Sequence, residues 1–197
     1  MYAMNRREAI KRLTLLMGGA VIGAETFLNG SVIEGKKVAA PFSTQDLALM
    51  DEIGETIIPT TTTPGAKAVQ IGAFMKMMVN DCYDEENQAI FQAGLGQIEA
   101  GAQKEFGKKF MELSPSQRTT LLSEIDKEEK QSRANKTVSD PAHYFRLMKQ
   151  LTLLGYFSSE IGCTQALRFT EVPGAFRGNE PYKKGDRAWF VPPGHFV

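Results

Sequence analysis

The sequence predicts an all-α protein: an irregular bundle of five or six helices followed by an extended arm rich in proline, glycine and aromatic residues. Three observations carry this. Apolar residues recur at helical spacing through most of the middle of the chain. Helix-start signals, Ser, Asp and Pro at capping positions, stand before several of those runs. No stretch alternates polar and apolar residues long enough to demand a sheet.

Regular structure begins at Ser43, a good N-cap, and "TQDLALMDEIGETIIP" places Leu49, Met50, Ile53 and Ile57 on one face before Pro59 ends the helix. The loop "PTTTTPGA" follows. Pro64 fixes the backbone there and Gly65 frees it, the marks of a defined turn. A helix over about 66–81 is predicted to bury Val69, Phe74, Met77 and Met78. Residues 85–106 carry the clearest period, with Phe91, Leu95, Ile98, Ala102 and Phe106 on one face. Gly94, Gly96 and Gly101 weaken that helix by propensity and are read as sites of close helix–helix approach. In "LSPSQRTTLL", Ser114 is the predicted cap, Pro115 the first helical residue and Gln117 the other half of a capping box, with Leu121, Leu122 and Ile125 buried. "DPAHYFRLMKQLTLLGYFSS" repeats the pattern, with Asp140 as cap, Pro141 first inside, and a stripe of Tyr144, Leu147, Met148, Leu151 and Leu154.

From residue 172 the chain changes character. "VPGAFRGNEPYKKGDRAWFVPPGHFV" holds four prolines, four glycines and five aromatic residues, Phe176, Tyr182, Trp189, Phe190 and Phe196. It is too interrupted for a helix and too aromatic for a solvated tail. Burying each ring is worth about 1.5–3 kcal/mol, so the arm is expected to lie against something, either its own bundle or another protein.

Bulk composition narrows the functional classes. The 197 residues are 42% hydrophobic and 23% charged, and Lys plus Arg equals Asp plus Glu at 23 each. A formally neutral chain has no bulk attraction for nucleic acid. The positive charge that stands out is local: Arg6, Arg7, Lys11 and Arg12 face only Glu8 in the first twelve residues. The apolar run Leu13–Ala24 follows, too short to span a bilayer, which takes about 20 residues. This resembles a twin-arginine signal, the address of proteins exported already folded, with Arg6, Arg7 and Lys11 as its key residues. Residues 1–40 are therefore read as signal and linker, 41–171 as the helical domain and 172–197 as the arm.

Candidate chemistry is sparse. Cys82 and Cys163 are the two cysteines, open to a disulfide, a partner chain or simple burial. His143 and His195 are the two histidines, and neither stands at metal-ligand spacing. Acidic runs at Asp84-Glu85-Glu86 and in "EIDKEEK" read as solvated helix faces or starts. Gly94 and Gly96 fall inside a helix, not in a dinucleotide-binding loop. No catalytic, cofactor-binding or metal residue is expected.

Four blocks in order complete the reading. They are Ile57, Ile58, Pro59, Thr63, Pro64, Gly65 and Ala66; Phe91, Gly94 and Leu95 with Phe110 and Leu113; Gly155, Tyr156, Ser159 and Glu160; and Pro173, Gly174, Phe176 and Gly178. Together they resemble the gluconate 2-dehydrogenase subunit 3 family over about 46–177. Thr62 departs from the pattern, which often has an acidic residue there. The resemblance implies a non-catalytic accessory subunit, holding no cofactor itself. It would bind, stabilise and escort through twin-arginine export a large FAD-dependent dehydrogenase subunit of the glucose–methanol–choline type. It also implies a periplasmic location, a possible multihaem cytochrome c as third subunit supplying haem c, and contact with the membrane only through the complex. On that reading the partner interface includes Pro59, Pro64, Gly65, Ala66, Pro173, Phe176, Tyr182 and Trp189. Two other readings stand beside it: a free-standing periplasmic helical binding protein, and a small helical oxidoreductase or hydrolase acting alone.

Overall fold

The computed structural model describes residues 42–134, 140–172, 174–175 and 178–190. Five α-helices are found among them: α1 Thr44–Ile57, α2 Ile71–Cys82, α3 Glu85–Phe106, α4 Pro115–Ala134 and α5 Tyr144–Ser158. Short 3-10 turns at Ala66–Val69 and Phe110–Glu112 precede α2 and α4, and a π turn, Gly162–Ala166, follows α5. The all-α architecture is as the sequence predicts.

Helix α5 is the hub. Its eight buried residues, Tyr144, Phe145, Leu147, Met148, Leu151, Thr152, Gly155 and Tyr156, run around most of its circumference, and α1, α2, α3 and α4 all pack on it. A helix that is apolar on most sides belongs inside a bundle. The buried Thr152 hydroxyl is satisfied by donating to the Met148 carbonyl at 2.8 Å. Leu154, expected in the stripe, is exposed, because the four flanking helices leave its side of α5 open.

Local signals place the helix ends. Ser43 and Asp46 form a reciprocal capping box on α1. The Ser114 hydroxyl accepts from the Gln117 N–H at 3.3 Å, and the Gln117 side-chain oxygen accepts from the Ser114 N–H at 3.0 Å. Asp84 caps α3, and Gly107, at φ 66°, ends it in the left-handed conformation that glycine adopts without strain. Phe91, Leu95, Ile98 and Ala102 are buried on α3 as predicted. Gly94 lies so close to α5 that a Cβ there would sit 2.5–2.6 Å from three Tyr144 atoms, whereas a Cβ on Gly96 would meet nothing within 4 Å.

Two boundaries differ from expectation. The helix predicted over 66–81 is broken: Gln70 adopts φ 52° between the 3-10 turn and α2. The break lets the Asp51 carboxylate accept the Gly72 N–H at 2.8 Å, which seats the start of α2 on α1. It also rotates the buried face, which is Ile71, Gly72, Met75 and Val79. Val69, Phe74 and Met78 are half-buried at its margin and Met77 is exposed. Helix α5 starts three residues later than predicted. His143, not Asp140, is the cap, its Nδ1 accepting the Phe145 N–H at 3.3 Å. Pro141 and Ala142 remain outside the helix, which begins where Tyr144 meets Gly94.

The sequence predicted no sheet, and the described residues contain one short parallel pair, Arg168–Phe169 with Trp189–Phe190. It folds the arm back onto the end of its own domain. Arg168 bonds Asp186 at 3.1 Å and lies over the Trp189 ring, Phe169 stacks on Phe190, and Arg187 donates to the Gln165 carbonyl at 2.6 Å. Such pairing leaves rings uncovered: Tyr182 is 75% and Trp189 52% exposed. Both cysteines are free, Cys82 exposed and Cys163 buried, and burial pushes the Cys163 thiol up. No helix among the described residues is long and apolar enough to cross a membrane.

Candidate functional site: a braced surface loop

The loop between α1 and α2 is held from below by three acidic side chains on the last turns of α1. Spacing puts Asp51, Glu52 and Glu55 on neighbouring faces of that helix. Asp51 accepts the Gly72 N–H in the first turn of α2. Glu55 is the centre of the loop. Its carboxylate accepts from the Thr60 N–H at 2.8 Å, the Thr60 hydroxyl at 2.7 Å and the Lys67 N–H at 2.9 Å. Gly65 lies flat over it, and a Cβ there would sit 2.6 Å from Glu55 Cδ. The same loop is pinned from the other side by Tyr156, whose hydroxyl donates to the Pro64 carbonyl at 2.6 Å. The Ala66 N–H closes the turn on the Ile58 carbonyl at 2.9 Å.

Glu52 completes the brace. Its two oxygens separate two cations: Lys67 Nζ at 2.7 Å on one, and Arg118 on the other. Arg118 also donates to the Phe110 carbonyl at 3.1 Å and the Met111 carbonyl at 2.7 Å, and its guanidinium lies 5.6 Å from the centre of the Phe110 ring. One arginine therefore ties α4, the Phe110–Glu112 turn and α1 together.

The Glu55 environment predicts a pH dependence. Partial burial pushes its carboxyl up, but hydrogen bonds from the Thr60 hydroxyl and the Lys67 and Thr60 N–H groups, with the Lys67 charge, hold it below the ordinary value of 4.5. Ionised Glu55 therefore contributes stability that is present above its unfolded-state pKa and lost as pH falls through the lower folded-state value. Glu55→Gln is expected to cost about 1 kcal/mol at neutral pH, after allowance for solvent screening. Urea unfolding should show that difference shrinking as pH falls through the lowered folded-state value, below which the wild-type carboxyl is also protonated.

The expected interface residues fall into three groups. Pro59 is exposed and Pro64 half-buried on the braced loop, while Gly65 and Ala66 are buried and contribute its shape. Tyr182 and Trp189 are exposed on the arm. Pro173 and Phe176 lie outside the described residues, as do Arg6, Arg7 and Lys11. Glu52, Glu55, Lys67 and Arg118 were not singled out from the sequence, where they read as ordinary surface charges. The available signal was the Glu-x-x-Glu pair immediately before a Pro/Thr/Gly loop. Among the described residues, no three His, Cys, Asp or Glu side chains are grouped so as to hold a metal ion.

Fold and site together define a small helical protein that holds a surface loop in place through Glu55, Glu52 and Tyr156. A family model, gluconate 2-dehydrogenase subunit 3, matches residues 44–174, two thirds of the chain. The chain belongs to that family, whose name is that of a subunit of a dehydrogenase complex. Neither a search of curated proteins nor one of solved structures returned a match. The match begins one residue after the α1 cap and ends in the first residues of the arm, so it covers the helical bundle and the braced loop.

Proposed function

We propose that this chain is a non-catalytic accessory subunit. It binds and stabilises a large FAD-dependent dehydrogenase subunit of the glucose–methanol–choline type and escorts it through twin-arginine export to the periplasm. FAD belongs to that partner, haem c to a multihaem cytochrome c that completes the complex, and the membrane is reached only through those subunits. The observation that carries the reading is the family match over the whole bundle. Two structural features support it. The Pro59–Ala66 loop is fixed by Glu55 and Tyr156 yet presents Pro59, Thr60, Thr61 and Thr62 to solvent. A loop fixed before binding loses little entropy on docking. The arm presents Tyr182 and Trp189, residue types that dominate protein interfaces.

Export explains the leader. A flavoprotein loaded with cofactor in the cytoplasm must cross folded, and Arg6-Arg7 on a tightly bound companion would serve both chains. The test is co-expression of this chain with a candidate FAD-dependent dehydrogenase subunit from the same genome, assayed for FAD-bound activity in periplasmic extracts. Deleting this chain, or replacing Arg6 and Arg7 with lysine, is expected to reduce that activity to background. Unchanged periplasmic activity in both cases would contradict the escort role. A free-standing binding protein predicts that unchanged result.

A further inference from the structure

A cleft of about 390 Å³ lies where the end of α1 meets α4 and α5. Helix α4 lines it with Thr119, Leu122, Ser123, Asp126, Lys127 and Lys130, a single stripe at spacings of three and four residues. Leu122 and Phe145 form a buried apolar floor, with half-buried Ile57 at the end nearest the loop. The rim is cationic. Lys127, Lys130 and Lys149 face one carboxylate, Asp126, which already bonds both Lys130, at 2.7 Å, and Lys149. Partial burial pushes the Asp126 carboxyl up, but bonds to Lys130 and Lys149 hold it below its ordinary value, so it stays ionised. The lining thus keeps two positive charges in excess, and among the described residues Lys127 makes no ion pair.

From Thr119 to Lys130 the stripe is about 16 Å long at roughly 1.5 Å per residue. An extended segment of about five residues has that length. An open trough with an apolar floor and an unneutralised cationic rim is complementary to a peptide carrying an apolar side chain flanked by carboxylates. Thr56 and Ile57 at the end of α1 line the trough, so it lies beside the helix end from which the braced loop departs. We infer that this cleft receives an acidic, apolar-centred segment of the catalytic subunit. The inference rests on the accessory-subunit reading and adds the face and the partner chemistry to it.

Lysines 127 and 130 are exposed, so reversing them tests the charge complementarity with little change to the core. The co-expressed complex would be compared with Lys127→Glu/Lys130→Glu and with Lys104→Glu/Lys108→Glu, an equal charge change on exposed residues outside the cleft. The cleft variant is expected to bind at least about tenfold more weakly, and the control at wild-type strength. Wild-type affinity is expected to fall as salt is raised. Zero-length carbodiimide coupling of the wild-type complex, mapped by mass spectrometry, should join Lys127 or Lys130 to Asp or Glu of the catalytic subunit. This second readout holds even where the reversed variant fails to fold. Full affinity of a folded cleft variant, or cross-links confined to other lysines, overturns the assignment of this face while the accessory reading stands. A wild-type chain that forms no complex overturns both.

Discussion

Arg118→Ala is expected to lower the stability of this protein by about 3 kcal/mol, a drop in thermal midpoint of roughly 6–12 °C for a domain of this size. The arginine and Glu52 side chains are 13% and 14% exposed, so their pairing is far less screened than a surface bridge. Truncation removes that pair, two bonds to the Phe110 and Met111 carbonyls, and the stacking over Phe110. Glu52 keeps Lys67, which holds the loss to the lower part of the range for a broken buried pair. Arg118→Lys should recover only part of it. An ammonium can face Glu52 but cannot span three acceptors with a planar fork. Thermal melts of the two variants check this, and an alanine variant within 1 °C of wild type would show that the brace is not structural.

The glycines of α3 give the second large effect, because two of them two residues apart should respond in opposite directions. Gly94→Ala places a methyl 2.5–2.6 Å from the Cβ, Cγ and Cδ2 atoms of Tyr144. Tyr144 is buried, and its Cβ is fixed to the α5 backbone, so the ring cannot simply swing away. Overpacking of this kind costs about 1–3 kcal/mol. Gly96→Ala meets open space and gains the helix propensity of alanine, a stabilisation of about 0.5–1 kcal/mol. Denaturant unfolding of both variants separates a packing role from a generic glycine effect. Equal changes in both would contradict the close approach of α3 and α5.

Those glycines also show what the sequence could tell. Close helix approach was legible at Gly94, because glycine in an otherwise regular apolar stripe needs a packing reason, but nothing in the sequence separated Gly94 from Gly96. Caps at Ser43 and Ser114 were legible because both partners of each capping box lie within three residues. The break at Gln70 was not. It goes with a contact distant in sequence, the Asp51 carboxylate accepting the Gly72 N–H, which no local signal announces. The start of α5 offered two caps, Asp140 and His143, and the docking of Tyr144 on Gly94 decided between them. The brace escaped for the same reason. Glu52 and Arg118 are distant in sequence, and each alone reads as a solvated charge. Four short motif blocks carried the family, and the structure supplies reasons for three of them, Gly94 through its close contact with Tyr144. Gly65 is pressed on Glu55, and Tyr156 bonds Pro64.

The account as a whole depends on association. The most direct measurement is size-exclusion chromatography with light scattering of this chain co-expressed with the proposed FAD-dependent catalytic subunit, following flavin absorbance. The account predicts one peak at the summed mass of the two polypeptides, carrying flavin. Two separate peaks, with the flavoprotein fully loaded and active without this chain, would contradict it.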